Sequence, residues 1–323
     1  MGEFQVHVLR FRAQVTAPLR LPAAAGAALR GALFEALRAQ FCVAGGGPTC
    51  GTAPAVAGCP VCFLLAPVDE AAARGRDVPR PYALRAPAGP AAYAPGATLE
   101  FGLATFGHAL GHFPYALLGV EEMGRNGLGS NRRGAFRLDE VWAEHPLLGR
   151  QEAVYRRARG DGQVRTPALP VVAADVADEA ARLADAGGDQ RLRLVFATPT
   201  RLVEGGALVK ADGFVARTLV ARLLERLTAL HQRYGDGPPP FDAPALLAAA
   251  GEVRVVERTL AWRELFRASG RHRRMVPMGG LVGEVVVAGD LRPFLPWLVW
   301  GTLTHVGKDA AMGNGQLRLE PLP

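Results

Sequence analysis

Lysine is almost missing from this sequence. Among 323 residues only Lys210 and Lys308 are lysines, so nearly all the positive charge is guanidinium. The formal net charge of +7 still makes polyanions natural partners, nucleic acid first among them. Arginine forks fit phosphate and guanine edges and stack on bases, although the codon bias of a GC-rich genome would also enrich arginine. Long hydrophobic runs are missing too. No stretch reaches the roughly 20 apolar residues that a membrane-spanning helix needs. Arg10 and Arg12 interrupt the amino-terminal segment where a signal peptide requires an apolar core, and Val6 breaks the myristoylation pattern that Gly2 would begin. The expectation is a cytoplasmic protein with no membrane partner.

Cysteine is absent outside one stretch, which holds Cys42, Cys50, Cys59 and Cys62. A reducing cytosol argues against two disulfides, and Cys59-x-x-Cys62 is a common half of a zinc site. Two readings stand open: one tetrahedral structural zinc bound by all four thiolates, or reduced thiols in a Gly-rich loop.

Residues 4–15 alternate as a strand, with a phase slip at Val8 and Leu9 that a bulge or burial on both faces would explain. Pro18 and Pro22 precede an Ala-rich helix running to about Phe41, whose stripe is Leu29, Ala32, Leu33, Ala36 and Leu37. After the cysteine loop and a Pro-, Gly- and Ala-rich passage come a strand at 98–106, a helix at 113–123 and a strand at 135–142. Breakers between 145 and 188 mark a linker with strand character near Val171. A strand then begins at Arg191. Asp212 is expected to cap the next helix, in which Leu219, Leu223, Leu227 and Leu230 repeat at helical spacing. A short helix at 244–250, strands at 253–262 and 280–287, a helix at 293–305 and a strand at 316–320 complete the chain.

The order in each half is strand, helix, strand, strand, helix, strand. That predicts an α+β protein of two tandem ferredoxin-like βαββαβ domains, at 1–145 and 189–323, joined by a linker at 146–188. The halves also match in detail. A helix bearing Gly119 ends at Gly124-Arg125 before Gly134-Ala135-Phe136-Arg137-Leu138. A helix bearing Gly301 ends near Gly307-Lys308 before Gly315-Gln316-Leu317-Arg318-Leu319. The same glycine turn at the same place in the element order indicates a tandem repeat.

Those glycine turns, with Leu29-Arg30-Gly31-Ala32-Leu33, Cys59-Pro60-Val61-Cys62-Phe63, Phe196-Ala197-Thr198-Pro199-Thr200, Pro277-Met278-Gly279-Gly280 and Gly313-Asn314-Gly315, resemble a known family over most of the chain. They are similar to the CRISPR-associated endoribonucleases that process repeat RNA, within the repeat-associated mysterious protein superfamily. The resemblance implies binding of a CRISPR repeat transcript and one cut per repeat. It implies metal-independent chemistry in which the ribose 2′-hydroxyl attacks the adjacent phosphate and leaves a 2′,3′-cyclic phosphate. No catalytic cofactor is then required.

Such a reaction needs a base, an acid and positive charge on the phosphorane. Members of the family often carry a histidine on or just after the first helix, and residues 21–41 contain none. Ferredoxin-like topology would gather residues 198–210, the hairpin carrying Arg271, His272, Arg273 and Arg274, and His305 with Lys308 at one edge. His305, His272 and Lys308 are the candidate catalytic group, with His305 as an acid at a helix carboxyl end and Lys308 on the phosphate. The rival reading has His305 cap its helix and Lys308 bind phosphate passively. His108 and His112, four apart, form a second pair at the opposite edge of the first sheet. His7, His145 and His231 read as structural or solvated. Arg125, Arg132, Arg133, Arg271, Arg273 and Arg274 are the candidate RNA contacts, because glycine turns offer N–H groups to phosphates while nearby arginines neutralise them. Arg156, Arg157 and Arg159 extend the track or form a solvated charge run. Two further readings stand beside the enzyme: a non-catalytic RNA-binding subunit among other CRISPR effector-complex subunits, and a zinc-stabilised scaffold.

Overall fold

The computed structural model describes residues 4–43, 58–66, 78–129, 134–157, 163–186, 191–269 and 274–322. The chain divides into two compact units, one of His7–Pro170 and one in which Met1–Val6 joins Val171–Pro323. Among the described residues no helix is long and apolar enough to cross a membrane.

In the His7–Pro170 unit the elements are β1 (Val6–Val15), α1 (Ala25–Phe41), α2 (Pro60–Leu64), β2 (Tyr82–Arg85), β3 (Thr98–Phe106), α3 (Phe113–Asn126), β4 (Phe136–His145) and β5 (Arg150–Arg156). The sheet order is β2-β3-β1-β4-β5, antiparallel throughout. Val6 to Leu9 are buried on both faces of β1, which accounts for the broken alternation there. The register shift in the pairing with β4 lies further on, between Arg12 and Ala13. β2 sits inside the Pro-, Gly- and Ala-rich passage, where four residues are too few to show a period. Tyr82, Ala83 and Leu84 of it are nonetheless buried.

The other unit holds α4 (Ala173–Ala186), β6 (Arg191–Thr200), α5 (Ala216–Tyr234), α6 (Ala243–Gly251), β7 (Arg254–Arg258), β8 (Ala261–Arg263), β9 (Phe266–Ser269), β10 (Arg274–Pro277), β11 (Gly280–Ala288), α7 (Leu295–Thr304) and β12 (Leu317–Pro321). Its sheet runs β7-β11-β6-β12, with β8 also paired to β11. Leu219, Leu223, Leu227 and Leu230 of α5 are all buried, each worth roughly 1.5–3 kcal/mol against exposure. Asp212 does not cap this helix. It lies in a short 3-10 turn, Ala211–Gly213, and the N-cap position belongs to Val215, with no side-chain cap. Asp242 instead caps α6, accepting from the Ala245 amide at 3.1 Å. The single strand expected at 253–262 is two, β7 and β8, both paired to β11.

Both units are therefore α+β with an antiparallel sheet. Their four central strands share one order, β4-β1-β3-β2 and β12-β6-β11-β7, which is consistent with the ferredoxin-like arrangement expected from the sequence. The paired glycines have one physical role. A Cβ on Gly119 would lie 2.8 Å from Leu33 and Leu37 of α1, and one on Gly301 would lie 3.1 Å from Leu223 of α5. In each unit a glycine on the second helix thus lets it approach the first.

Candidate nucleic-acid interface

At one edge of the sheet formed by β6 and β11, three segments are stitched together by hydrogen bonds. The Gly315 amide donates to the Pro199 carbonyl at 3.2 Å, and the Lys308 amide donates to the Arg201 carbonyl at 3.2 Å. Asn314 Nδ2 donates to the Met278 carbonyl at 2.9 Å, and an Arg201 guanidinium N–H donates to the Gly279 carbonyl at 3.3 Å. The end of β6, the turn between β10 and β11, and the glycine turn after α7 therefore form one rigid corner. Left-handed backbone at His305, Gly307, Asp309, Gly313 and Gly315 coils the glycine turn tightly.

His305 lies inside this corner with no exposed surface, its Nδ1 3.0 Å from the Asn314 carbonyl oxygen. A φ of 62° is costly for a non-glycine residue and persists only where the surroundings enforce it. Lys308, by contrast, is exposed at the turn. Lys210 and Trp262 join the same neighbourhood. Lys210 Nζ stands 3.3 Å from the Trp262 ring centroid, and a Cβ on Gly279 would lie 3.2 Å from Trp262 Nε1. The sequence reading missed Trp262. Its one visible signal is a tryptophan beside Arg263 at the end of the strand expected at 253–262.

His272, Arg271 and Arg273 lie outside the described residues, as do Arg132 and Arg133. Arg274 is exposed at the start of β10, where β9 and β10 pair as a separate two-stranded ribbon. Phe266 and Met275 on that ribbon are 50% and 58% exposed, so its surface is apolar as well as basic. Arg125 ends α3 exposed and pairs with Glu122 at 3.3 Å. Arg159 is outside the described residues. Arg156 and Arg157 are engaged by carboxylates, Arg156 with Glu140 at 3.7 Å and Arg157 with Glu121 at 2.8 Å. On the same sheet Arg10 and Arg156 stack on Trp142, at 5.9 and 5.0 Å from its centroid. Beside them is an open groove of about 730 Å³ lined by Arg12, Arg137 and Arg157 together with Asp139 and Glu140.

Cys59 and Cys62 are buried, Cys42 is half-buried, and Cys50 lies outside the described residues. Burial alone would raise the Cys59 pKa, but backbone hydrogen bonds at Cys62, Val43 and Val61 and the Cys62 thiol prevail and lower it. Among the described residues no three His, Cys, Asp or Glu side chains are placed to hold a metal ion. A structural zinc therefore finds no support in their geometry.

The remaining histidines separate by burial. His7 is 4% exposed and burial pushes its pKa down to about 4, with the charge of Glu152 opposing. His231 stacks on Phe4 with centroids 4.1 Å apart, and burial likewise holds it at about 4. His145 is buried and its Nδ1 accepts from the Leu148 amide at 3.2 Å. His108 and His112 come together instead, in a 3-10 turn at Gly107–His112 that links β3 to α3. Both approach the ring of Phe63 from α2, at 5.8 and 4.0 Å between centroids.

No curated protein matches the sequence significantly. Residues 4–169 match a family model described as an N-terminal domain, and residues 194–317 match that of the CRISPR-associated endoribonuclease Cas6. Among solved structures, Thermus thermophilus Cas6 aligns at 16% identity with a TM-score of 0.53, covering 99% of this chain and 100% of that one. A Cas6 product complex aligns at 17% with a TM-score of 0.54, covering 98% and 100%. A partial Cas6-RT-Cas1–Cas2 complex aligns at 12% with a TM-score of 0.61, covering 99% of this chain and 46% of that longer one. At such identities the structures speak for the fold alone. Residues 194–317 thus match the Cas6 family of CRISPR-associated endoribonucleases, and the fold of the whole chain is that of Cas6 structures.

Proposed function

We propose that this protein binds CRISPR repeat RNA and cuts it by metal-independent transesterification, giving a 2′,3′-cyclic phosphate and mature guide RNAs. The observation that carries this reading is the corner at the end of β6. There a glycine turn is pinned by hydrogen bonds to two other segments, and Lys308 projects from it into solvent. A fixed turn of left-handed residues is suited to presenting backbone and ammonium groups to a phosphate. The twin sheets are read as tandem ferredoxin-like domains whose glycine turns face the RNA.

In this reading Lys308 holds a phosphate of the bound RNA, while Lys210 and Trp262 contribute charge and a ring face. The basic ribbon formed by β9 and β10, with Arg271, Arg273 and Arg274, grips the RNA. Arg125, Arg132 and Arg133 do the same from the other unit. His305 does not touch RNA here. It holds the turn through Asn314 and acts as a positioning residue. His272 is proposed to join these arginines in contacting the RNA.

The burial of His305 also favours a second reading, in which the chain holds guide RNA without cutting it inside an effector complex. Incubation with its repeat RNA in EDTA separates the two. A single cut with a cyclic phosphate end establishes the enzyme, and intact but shifted RNA establishes the binder.

A further inference from the structure

We propose that His108 and His112 are the proton-transfer pair of this cleavage, His112 taking the proton from the ribose 2′-hydroxyl and His108 giving one to the departing 5′ oxygen. The proposal rests on the endoribonuclease reading above and assigns its acid and base to the His7–Pro170 unit, in place of the buried His305.

The two rings are brought together by three elements. β3 ends at the buried Phe106, and Gly107 at φ 51° turns the chain into the 3-10 segment that carries both histidines. α2 delivers Phe63, which stacks nearly flat on His112, at an interplanar angle of 9°, and meets His108 at a tilt. α3 begins at the next residue and supplies Tyr115, which is 37% exposed, lies 6.1 Å from His112 and packs edge-on against Phe41 at the end of α1. The cluster thus lies between three helices, with His108 and Tyr115 facing solvent and His112 half-buried behind them.

Among the described histidines these two alone come together and reach the surface. His7, His145 and His305 are at most 4% exposed, and His231 is held against Phe4. His112 has a further peculiarity. Its Nδ1 is buried with no hydrogen-bond partner among the described residues. Interior polar atoms are nearly always paired, and an exception calls for a function or an unseen partner. Burial, and then the charge of His108, holds His112 below the usual histidine range. A ring kept neutral beside an exposed one is the division of labour that acid–base cleavage near neutral pH requires.

The step balances without metal or oxidant. His112 accepts the 2′-hydroxyl proton as O2′ bonds to phosphorus. The bond from phosphorus to O5′ breaks, and His108 protonates O5′. The products are a 2′,3′-cyclic phosphate and a 5′-hydroxyl, and proton exchange with water resets both rings. Tyr115 offers an exposed ring to a nucleobase splayed at the cut.

The test is single-turnover cleavage of repeat RNA in EDTA by the full chain, by His108→Ala and by His112→Phe, with RNA affinity and melting temperature measured alongside. His112→Phe keeps the stack on Phe63 and removes the proton carrier. Each variant should lose at least about 100-fold in cleavage rate. RNA affinity should stay within about threefold. Added imidazole should restore part of the rate to His108→Ala, which a structural role would not allow. If either variant cuts at the wild-type rate, the pair is not catalytic. Should His112→Phe melt early, His112→Asn and the imidazole rescue of His108→Ala decide instead. A wild-type chain that binds the repeat but never cuts it refutes the endoribonuclease reading itself, a different outcome from active variants.

Discussion

His7 shows how a single side chain ties stability to pH. It sits in β1 with 4% of its surface exposed, and burial lowers its pKa from 6.5 to about 4 in the folded state. The unfolded chain therefore binds the proton first as pH falls. Stability from this residue is complete above the unfolded value and is lost as pH drops through the window from 6.5 to about 4. A difference of that size amounts to roughly 3 kcal/mol at the acid end. Replacing His7 with Leu, which is apolar and needs no partner for a buried ring nitrogen, should flatten that part of the curve. Urea unfolding between about pH 7.5 and pH 4.5 checks this, and a slope shared by variant and wild type would show that His7 is solvated after all. His231, held at about 4 against Phe4, adds a second contribution of the same sign.

Among the elements, the glycine turn after α7 is the most tightly specified. Gly315 adopts φ 78°, and a Cβ there would stand 2.0 Å from the Val306 carbonyl oxygen, whose position is fixed by its place in the turn. Gly205 also has positive φ, at 56°, but a Cβ there meets nothing. Gly205→Ala should cost about 1 kcal/mol from backbone conformation alone. Gly315→Ala should cost on the order of 3 kcal/mol or more, because backbone must move as well. Thermal unfolding of both variants compares them directly, and equal costs would mean the turn yields. Most long elements and the paired glycines were legible in the sequence because periodicity and repetition are local signals, but the 14-residue α4 lies in the stretch 146–188 that reads as a linker. Gly119 and Gly301 stood out as a matched pair before their contacts were known. β2 was not legible, since four residues between prolines carry no period. The cap at Asp212 was misread because the residue is polar and correctly spaced, yet a 3-10 turn intervenes. His305 looked accessible because a helix end usually is. The burial accompanies the glycine turn that folds back on it, with the Asn314 carbonyl against its ring, a contact that sequence spacing does not encode.

Across the whole molecule, the formal charge of +7 overstates what is free to meet a polyanion in some places and understates it in others. On the first sheet Arg10 engages Glu144 and Glu100, Arg12 lies near Glu100 and Glu140, and Arg137 pairs with Asp139. A phosphate arriving there must displace carboxylates, and exposed pairs of this kind add little stability themselves. The ribbon of β9 and β10 has a different balance: Arg271, Arg273 and Arg274 follow one another with no acidic residue between Phe266 and Gly283. RNA affinity should therefore depend on salt chiefly through the ribbon. Each phosphate contact with single-stranded RNA contributes about −0.7 to the slope of log affinity against log salt. Replacing Arg271, Arg273 and Arg274 with Ala should reduce the slope by about 2. Replacing Arg10 and Arg12 should leave it nearly unchanged, since the Glu144, Glu100 and Glu140 charges they neutralise would then repel the strand without any lost contact. Titrations of repeat RNA at several salt concentrations separate the two variants, and a larger slope change for Arg10 and Arg12 would place the RNA on the first sheet instead.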